Sequence, residues 1–173
     1  MLDNYLQLTE QQRREIVPAQ PSIWRFYEKL SRRLIAWNVI NFGTGVILQA
    51  FTSFWRGIGA QAIGWSVVNL AIGFFGQRGN ERRAAKPEAH TPERMAREAR
   101  NIRAFLWLNA GLDVLYMLGG WSWARRAAQK GGQNAEFQRG MGMGIVLQGG
   151  LLLIWDVINA LIVPRGCKTK IKW

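Results

Sequence analysis

The chain has 173 residues, 49% of them apolar, and its 23 Lys and Arg outnumber its 11 Asp and Glu to give a net charge of +12. This length suits one domain of ordinary size, and a single cysteine excludes a disulfide framework. The charge alone would suggest nucleic-acid binding, but the charged and the apolar residues are separated along the chain, so their placement decides the class of protein.

Four long windows of the sequence contain almost no charge. They are 22, 19, 18 and 23 residues long and occupy residues 34–55, 58–76, 104–121 and 141–163. As helices that rise about 1.5 Å per residue, they are long enough to cross a hydrocarbon core of about 30 Å, the third being the shortest. We therefore predict an all-α membrane protein with four transmembrane helices; the alternative is a soluble helical protein with buried core helices.

The first 33 residues precede the first span and contain no apolar core segment, which argues against a cleavable signal peptide. Trp24, Tyr27 and Leu30 recur there at a spacing of three. We interpret Ser22–Arg33 as an amphipathic segment at the cytoplasmic interface, with its aromatic rings among the lipid headgroups. The alternative is a cytoplasmic extension of the first helix.

The connections between the spans are polar. Residues 77–103 form the predicted cytoplasmic loop, in which Thr91 as N-cap and Pro92 in the first turn indicate a helix that runs into the third span. Residues 125–140 are expected to be an outer loop without visible chemistry. Residues 164–173 form a basic cytoplasmic tail.

Lys and Arg are divided unevenly between alternate connections. Eighteen precede the first span, lie between the second and third spans or follow the fourth, whereas five lie in the other two connections. This asymmetry follows the positive-inside rule and places both termini and the middle loop in the cytoplasm. The charge therefore indicates topology and contact with the lipid bilayer, including anionic lipids at the cytoplasmic face, and we expect no nucleic-acid partner.

Two parts of the chain repeat each other. Asn41, Gly43 and Val46 match Asn109, Gly111 and Val114, and "WSVVN" at residues 65–69 matches "WDVIN" at residues 155–159. Each unit contains two spans, so both copies start on the same side of the membrane. We therefore predict two hairpins related as a parallel repeat, unlike the inverted repeats of many transporters.

Polar side chains inside the windows form a candidate buried site. Helical spacing places them in one stripe per helix, and these stripes should face one another because lipid offers no hydrogen bonds. The candidate polar residues are Asp113, Asp156, Asn109, Asn159, Asn69, Asn41 and Asn38. The candidate pocket wall consists of Trp65, Trp155, Tyr116 and Gln148.

The two carboxylates lack a basic partner, because no Lys, Arg or His lies in any window. They are either protonated and hydrogen-bonded to amides, or they flank a cation or a water-filled pocket. Four interpretations remain open: interhelical contacts that hold the helices in register, a binding pocket or cation site, proton conduction, and an aspartyl enzyme in which the two carboxyl groups share a proton.

The motifs of common enzymes are missing. His90, the single histidine, lies in the middle loop, so we expect no histidine-ligated haem or zinc inside the membrane. No phosphate-binding or dinucleotide motif occurs in a strand context. We therefore expect no enzymatic activity and leave the cofactor open.

Three stretches carry a resemblance to a known family: "GWSVVNLAIGFFG", "NAGLDVLYMLGG" and "RGMGMGIVLQGGLLLIWD". Over roughly residues 34–163 the sequence resembles a bacterial family of small four-helix integral membrane proteins of unknown function. The resemblance implies a four-helix fold in the bacterial cytoplasmic (inner) membrane and motif positions for Asn109, Asp113, Gln148 and Asp156. It implies no characterised activity.

The small size and the scarcity of catalytic groups favour a structural or accessory subunit of a larger membrane protein assembly, with protein partners in that complex. The alternative is a small channel, carrier or ligand-binding membrane protein whose site is formed by Asp113, Asp156, Asn69 and Asn159.

Overall fold

The computed structural model describes residues 23–132 and 134–164. The first 22 residues of the predicted N-terminal segment and nine residues of the predicted basic tail lie outside this range. Within the described residues the chain is all-helical, as predicted. Its elements are α1 (Ile23–Leu48), α2 (Ser53–Ala84), a 3-10 turn (Pro87–His90), α3 (Pro92–Lys130) and α4 (Ala135–Ile162).

The helices end at places that hydropathy does not mark. The turn between α1 and α2 lies inside the first predicted window. Hydropathy does not reveal this turn, because its residues Ala50 and Phe51 are as apolar as those of a span. Most of the predicted loop 77–103 is helical, since α2 continues to Ala84 and α3 begins at Pro92. These helices therefore do not end where the sequence changes from apolar to polar residues.

The start and the end of α3 have clear local causes. The backbone N–H of Arg94 donates to Thr91 Oγ1 at 3.4 Å, so Thr91 is the predicted N-cap. Gly131 ends the helix in a left-handed conformation with φ of 63°, which favours glycine. The predicted outer loop 125–140 is therefore mostly helical and shrinks to the connection 131–134.

The described part of the predicted interfacial segment, residues 23–33, is the first part of α1 and continues into the predicted span without a break. This matches the alternative of a helical extension and not the separate segment. Trp24 and Tyr27 are buried against α3 and the 3-10 turn, where the Trp24 indole N–H donates to the Ala89 carbonyl at 3.1 Å. These rings therefore pack against protein, and not among headgroups as we had predicted.

The helices pack with α2 and α4 in contact at the centre, α1 against α2 and α3 against α4. Glycines at equivalent positions of the two hairpins allow close crossings. A Cβ added at Gly59 would lie 2.6 Å from the Gly45 carbonyl oxygen, and one added at Gly149 would lie 3.2 Å from the Asp113 carbonyl oxygen. The α1–α2 and α3–α4 crossings thus use matching positions of the sequence repeat.

Along the predicted spans, the burial pattern is the inverse of that in a protein surrounded by water. Most of the residues buried between the helices are small or polar, whereas large apolar side chains such as Ile40, Phe75, Leu115 and Leu161 are exposed on the outside. An apolar cluster lies instead at the end of the bundle that carries the first residues of α1 and α3, and it includes Ile23, Trp24, Ile102 and Leu106.

Two of the four helices, α2 and α4, are long and apolar enough to cross a membrane, judged by length and composition. The other two carry more polar residues: α1 contains Asn38, Asn41 and Thr44, and α3 has the shortest apolar window with Asp113 at its middle. Length and composition thus support two spans directly.

Candidate functional site: a polar layer beside a lateral cavity

An amide pair at the centre of the molecule joins α1 to α4. Asn41 Nδ2 donates to Gln148 Oε1 at 3.1 Å, and Gln148 Nε2 donates back to Asn41 Oδ1 at 2.9 Å. Asn41 Nδ2 also donates to Ser66 Oγ of α2 at 3.0 Å. All three side chains are buried, so this group holds α1, α2 and α4 in register by hydrogen bonds.

Three further amides also have partners. Asn69 Nδ2 of α2 donates to Asn38 Oδ1 of α1 at 3.3 Å, and Asn38 Nδ2 donates to the Leu34 carbonyl of its own helix at 2.8 Å. Asn159 Nδ2 donates to the Trp155 carbonyl of α4 at 2.7 Å. These bonds satisfy the amides within or between helices and leave the two carboxyl groups as a separate group.

The carboxyl groups of Asp113 on α3 and Asp156 on α4 lie next to each other. Both residues are buried, with 4% and 8% of their surfaces exposed. Asp113 Oδ2 is the one buried side-chain atom without a hydrogen-bond partner among the residues described.

A cavity of about 630 Å³ lies between α1, α2 and α3, with α4 as its floor. Asp113, Asp156, Asn69 and Asn109 contribute to its wall. Exposed apolar side chains of α2 and α3 also line it, namely Val68, Ile72, Phe105 and Leu112. The cavity therefore has a polar patch on a mainly apolar wall and opens sideways between α2 and α3 through an apolar mouth.

Two contacts between α2 and α3 bound this mouth. At one end, the rings of Trp65 and Tyr116 meet edge to face with centroids 5.3 Å apart. At the other end, Arg83 Nη1 binds Glu98 Oε2 at 3.0 Å. The contacts are 18 residues apart along each helix, which corresponds to about 27 Å of helix.

Glu98 is a buried carboxylate, with 3% of its side chain exposed. Besides Arg83, it binds Arg94 Nη2 at 3.2 Å and accepts a hydrogen bond from the Tyr27 hydroxyl at 3.1 Å. Burial and the neighbouring Glu98 charge raise the pKa of Tyr27 from 10.0 to about 12, so the hydroxyl stays a neutral donor at physiological pH. The start of α1 is thereby attached to α2 and α3.

The polar residues predicted from the sequence all lie in the interior. Six are buried, and Asn109 is half-buried on the cavity wall. Of the predicted pocket wall, Trp65, Trp155 and Tyr116 do line the cavity, whereas Gln148 pairs with Asn41 instead.

Ser66 and Glu98 were not predicted from the sequence. Ser66 lies inside the repeated "WSVVN" motif, at the position that Asp156 occupies in the other copy. The one local signal for Glu98 is Arg94 four residues earlier, a spacing that is common on exposed helices. No group of three or more His, Cys, Asp or Glu that could hold a metal ion occurs in residues 23–132 and 134–164.

The part of the chain that the structure describes is thus all-helical, with four long helices, a largely polar interior and an apolar exterior. The model of a family of unknown function, DUF6992, matches residues 33–157, and the chain belongs to this family. No curated protein and no solved structure matches the chain. The family match begins at Arg33, so the first turns of α1, which contact Glu98, lie outside it.

Proposed function

We propose that the chain is a four-span integral membrane protein that binds an amphiphilic molecule of the membrane in the cavity between α1, α2 and α3. The observation that carries this proposal is the shape and polarity of the cavity. Its inside presents Asp113, Asn69 and Asn109, and its mouth presents apolar side chains. A ligand with a polar head and an apolar tail matches both parts.

The burial pattern supports the membrane setting of all four helices. An exposed apolar belt of this extent would be unstable in water, whereas lipid covers it. Polar groups between the helices find partners there that lipid does not provide. On this basis α1 and α3, whose polar residues lower their hydropathy, cross the bilayer together with α2 and α4.

Charge supports the proposed orientation. The end of the bundle that holds the start of α1, the end of α2 and the start of α3 carries Arg25, Arg33, Arg82, Arg97 and other basic residues. The positive-inside rule assigns this end, and with it both termini, to the cytoplasm. The resemblance to a bacterial family supports the bacterial cytoplasmic membrane as the membrane that the protein spans.

In this orientation Asp113 lies near the middle of the bilayer, a few residues from the Trp65–Tyr116 contact. A polar head that enters between α2 and α3 reaches Asp113, Asn69 and Asn109, while the apolar tail stays among Val68, Ile72 and Phe105 or in the adjoining lipid. Hydrogen bonds inside the cavity replace those that the head loses on leaving the bilayer surface.

Filling the cavity tests the proposal. Gly76 lines the cavity and Gly64 is exposed on the same helix outside it, and a Cβ added at either position meets no atom within 4 Å. We expect native mass spectrometry of gently extracted protein to detect a bound small molecule in the wild type and in Gly64→Phe but not in Gly76→Phe. Equal retention by both variants, or no bound molecule in any sample, would contradict the proposal.

The accessory subunit inferred from the sequence stays a prediction, as does the absence of enzymatic activity. The same mass measurement tests the subunit role. Protein chains bound in a fixed ratio to wild type and to Gly76→Phe alike would support a subunit role that does not depend on the cavity.

A further inference from the structure

We infer that the cytoplasmic end of the cavity mouth binds the phosphate group of an anionic phospholipid, held by Arg83 and Asn80 of α2 and by Asn101 of α3. The inference uses the proposed membrane setting and orientation, but not the molecule proposed for the polar patch. Asn69 of that patch is 14 residues from Arg83 along α2, which corresponds to about 21 Å. The two places are therefore separate sites.

The three polar side chains line the cavity at one end, and helical spacing places them around one point. Arg83 Nη1 binds Glu98 Oε2 at 3.0 Å, which brings this part of α2 against α3. Asn80 precedes Arg83 by three residues, and Asn101 follows Glu98 by three residues. Residues at this spacing lie on the same side of a helix. Both asparagines therefore lie next to the ion pair, on its bilayer side.

The Arg83 guanidinium is held in place and still has donors for a ligand. Glu98 Oε2 accepts from Nη1 and Asn80 Oδ1 accepts from Nη2, while Cζ lies 5.2 Å from the centroid of the Tyr27 ring. A guanidinium has more N–H groups than these two bonds use, and its planar fork matches the oxygens of a phosphate. Because 39% of the side chain is exposed, a ligand can reach these groups.

The two asparagines supply amide donors beside the guanidinium. Because Asn80 Oδ1 accepts from Arg83, the Nδ2 group of Asn80 is the part of the amide that is left for a ligand. Asn101 is exposed on α3 and brings a second amide to the same end of the cavity. Amide N–H groups donate to phosphate oxygens as the guanidinium does. The site thus has N–H donors from two helices.

The local charge favours an anion. Glu98 carries one negative charge and binds two arginines, Arg83 at 3.0 Å and Arg94 at 3.2 Å, so this group has an excess of positive charge. Residues 23–33 and 77–103, which form this end of the bundle, contain twelve Lys and Arg against five Glu. An anion that approaches this end is therefore attracted to it.

The apolar wall beside these residues favours a lipid over a soluble anion. Ile72 and Phe105 line the same cavity, are exposed, and lie on the bilayer side of the two asparagines. A phosphate at Arg83 leaves an acyl chain along Ile72 and Phe105, in the mouth that opens toward the bilayer. In the proposed orientation this end lies at the cytoplasmic surface, where the anionic headgroups of that leaflet lie.

The test measures binding of dioleoylphosphatidylglycerol and dioleoylphosphatidylcholine to the purified chain by native mass spectrometry. Both lipids have the same acyl chains and a phosphodiester, but only the first has a net negative charge. We expect wild type to bind phosphatidylglycerol about tenfold more tightly than phosphatidylcholine, and Arg83→Gln to lose about tenfold in affinity for it, since a hydrogen bond to a charged group corresponds to at least about that factor. Equal binding of the two lipids by wild type would overturn the inference.

Arg78→Gln is the matched control, because it removes the same charge from the same helix. Arg78 is exposed over the Phe74 ring, with Cζ 4.4 Å from the ring centroid, and is not among the residues that line the cavity. We expect this variant to bind phosphatidylglycerol as wild type does. An equal loss in Arg78→Gln and Arg83→Gln would show that only the general charge attracts the lipid, and would overturn the site.

Asn101→Ala tests the site without breaking the Arg83–Glu98 ion pair, so the result does not depend on whether Arg83→Gln folds. We expect it to weaken phosphatidylglycerol binding roughly fivefold, as the loss of one hydrogen bond predicts. Binding as tight as that of wild type would contradict the site. Thermal unfolding of each variant shows whether it is folded.

Inorganic phosphate distinguishes a lipid from a soluble anion. We expect added phosphatidylglycerol to raise the melting temperature of wild type and inorganic phosphate to leave it unchanged, because inorganic phosphate lacks the acyl chain that contacts Ile72 and Phe105. If inorganic phosphate stabilised wild type as much as the lipid does, and Arg83→Gln abolished this effect, the site would belong to a soluble anion and the lipid assignment would be wrong.

Failure of this inference and failure of the proposed function give different results. A bound molecule that is lost in Gly76→Phe, together with lipid binding that does not depend on Arg83, would keep the proposed function and reject the phosphate site. Lipid binding that depends on Arg83, without any molecule that depends on Gly76, would keep the phosphate site and reject the proposed function.

Discussion

At the scale of single residues, Glu98 joins the ends of three helices. Its carboxylate contacts Tyr27 of α1, Arg83 of α2 and Arg94 of its own helix α3. Its ion pair with Arg83 is also one of the two α2–α3 contacts that bound the cavity mouth. The stability of this end of the molecule should therefore depend on the Glu98 charge.

We expect Glu98→Gln to lower the free energy of unfolding by about 1–3 kcal/mol, because Arg83 and Arg94 lose their buried partner. Glu28→Gln is the control: Glu28 pairs with Arg32 at 3.5 Å on the exposed surface of α1, and such pairs contribute about 0–1 kcal/mol. Thermal or denaturant unfolding in detergent measures both. A loss no larger for Glu98→Gln than for Glu28→Gln would show that the buried contacts contribute little.

Which residues face the interior could be predicted from helical spacing, because a stripe of polar residues identifies one side of a helix. Their partners could not be predicted. Gln148 is 107 residues from Asn41, and the two meet because α1 and α4 both pack against α2. Glu98 was missed for the same reason, since its burial depends on the start of α1 folding against α3.

At the scale of the elements, the crossings depend on glycines that have no space for a side chain. Gly59 of α2 lies against the backbone of Gly45, whereas Gly64, five residues later, faces outward. The same substitution should therefore have opposite effects at the two positions.

We expect Gly59→Ala to destabilise the protein by about 1–3 kcal/mol, because the added methyl group forces α1 and α2 apart. We expect Gly64→Ala to stabilise it by up to about 1 kcal/mol, because alanine loses less backbone entropy in a helix. Unfolding curves of the two variants measured side by side test this. A neutral Gly59→Ala would show that the crossing is looser than described.

The existence and order of the four helices could be predicted from the apolar windows, but their ends could not. Hydropathy responds to the boundary between apolar and polar residues, whereas a helix continues until its backbone is capped. α3 illustrates this difference: it has 39 residues although its apolar window has 18. Thr91 was recognisable as its start because an N-cap is a local signal.

At the scale of the whole molecule, the all-helical architecture could be predicted, and the lateral cavity could not. Trp65, Trp155 and Tyr116 were recognised as wall residues from their depth and position beside the polar stripes. The mouth between α2 and α3 results from the packing order of the helices, in which α2 packs along α4 and meets α3 only through a few side chains. No local pattern encodes that order.

The proposed topology predicts which connections are accessible from outside the cell. Ala50, Glu81 and Gln129 are exposed and lie at successive ends of the helices. In a Cys167→Ser background, we expect a membrane-impermeant maleimide to label Ala50→Cys and Gln129→Cys in spheroplasts, and Glu81→Cys only after permeabilisation. The native Cys167 should behave like Glu81→Cys. Labelling of Glu81→Cys in intact spheroplasts would contradict the orientation.

The reciprocal amide pair between Asn41 and Gln148 also has a consequence for biogenesis. The two residues belong to different hairpins, and a ribosome completes the first hairpin long before it makes the second. Until then the Asn41 amide, if already inserted, has only Ser66 and the Ala62 carbonyl as partners. In the proposed four-span topology, a first hairpin that never meets the second therefore displays an incompletely satisfied amide in the bilayer, a feature by which membrane quality control can distinguish an unfinished chain from a finished one.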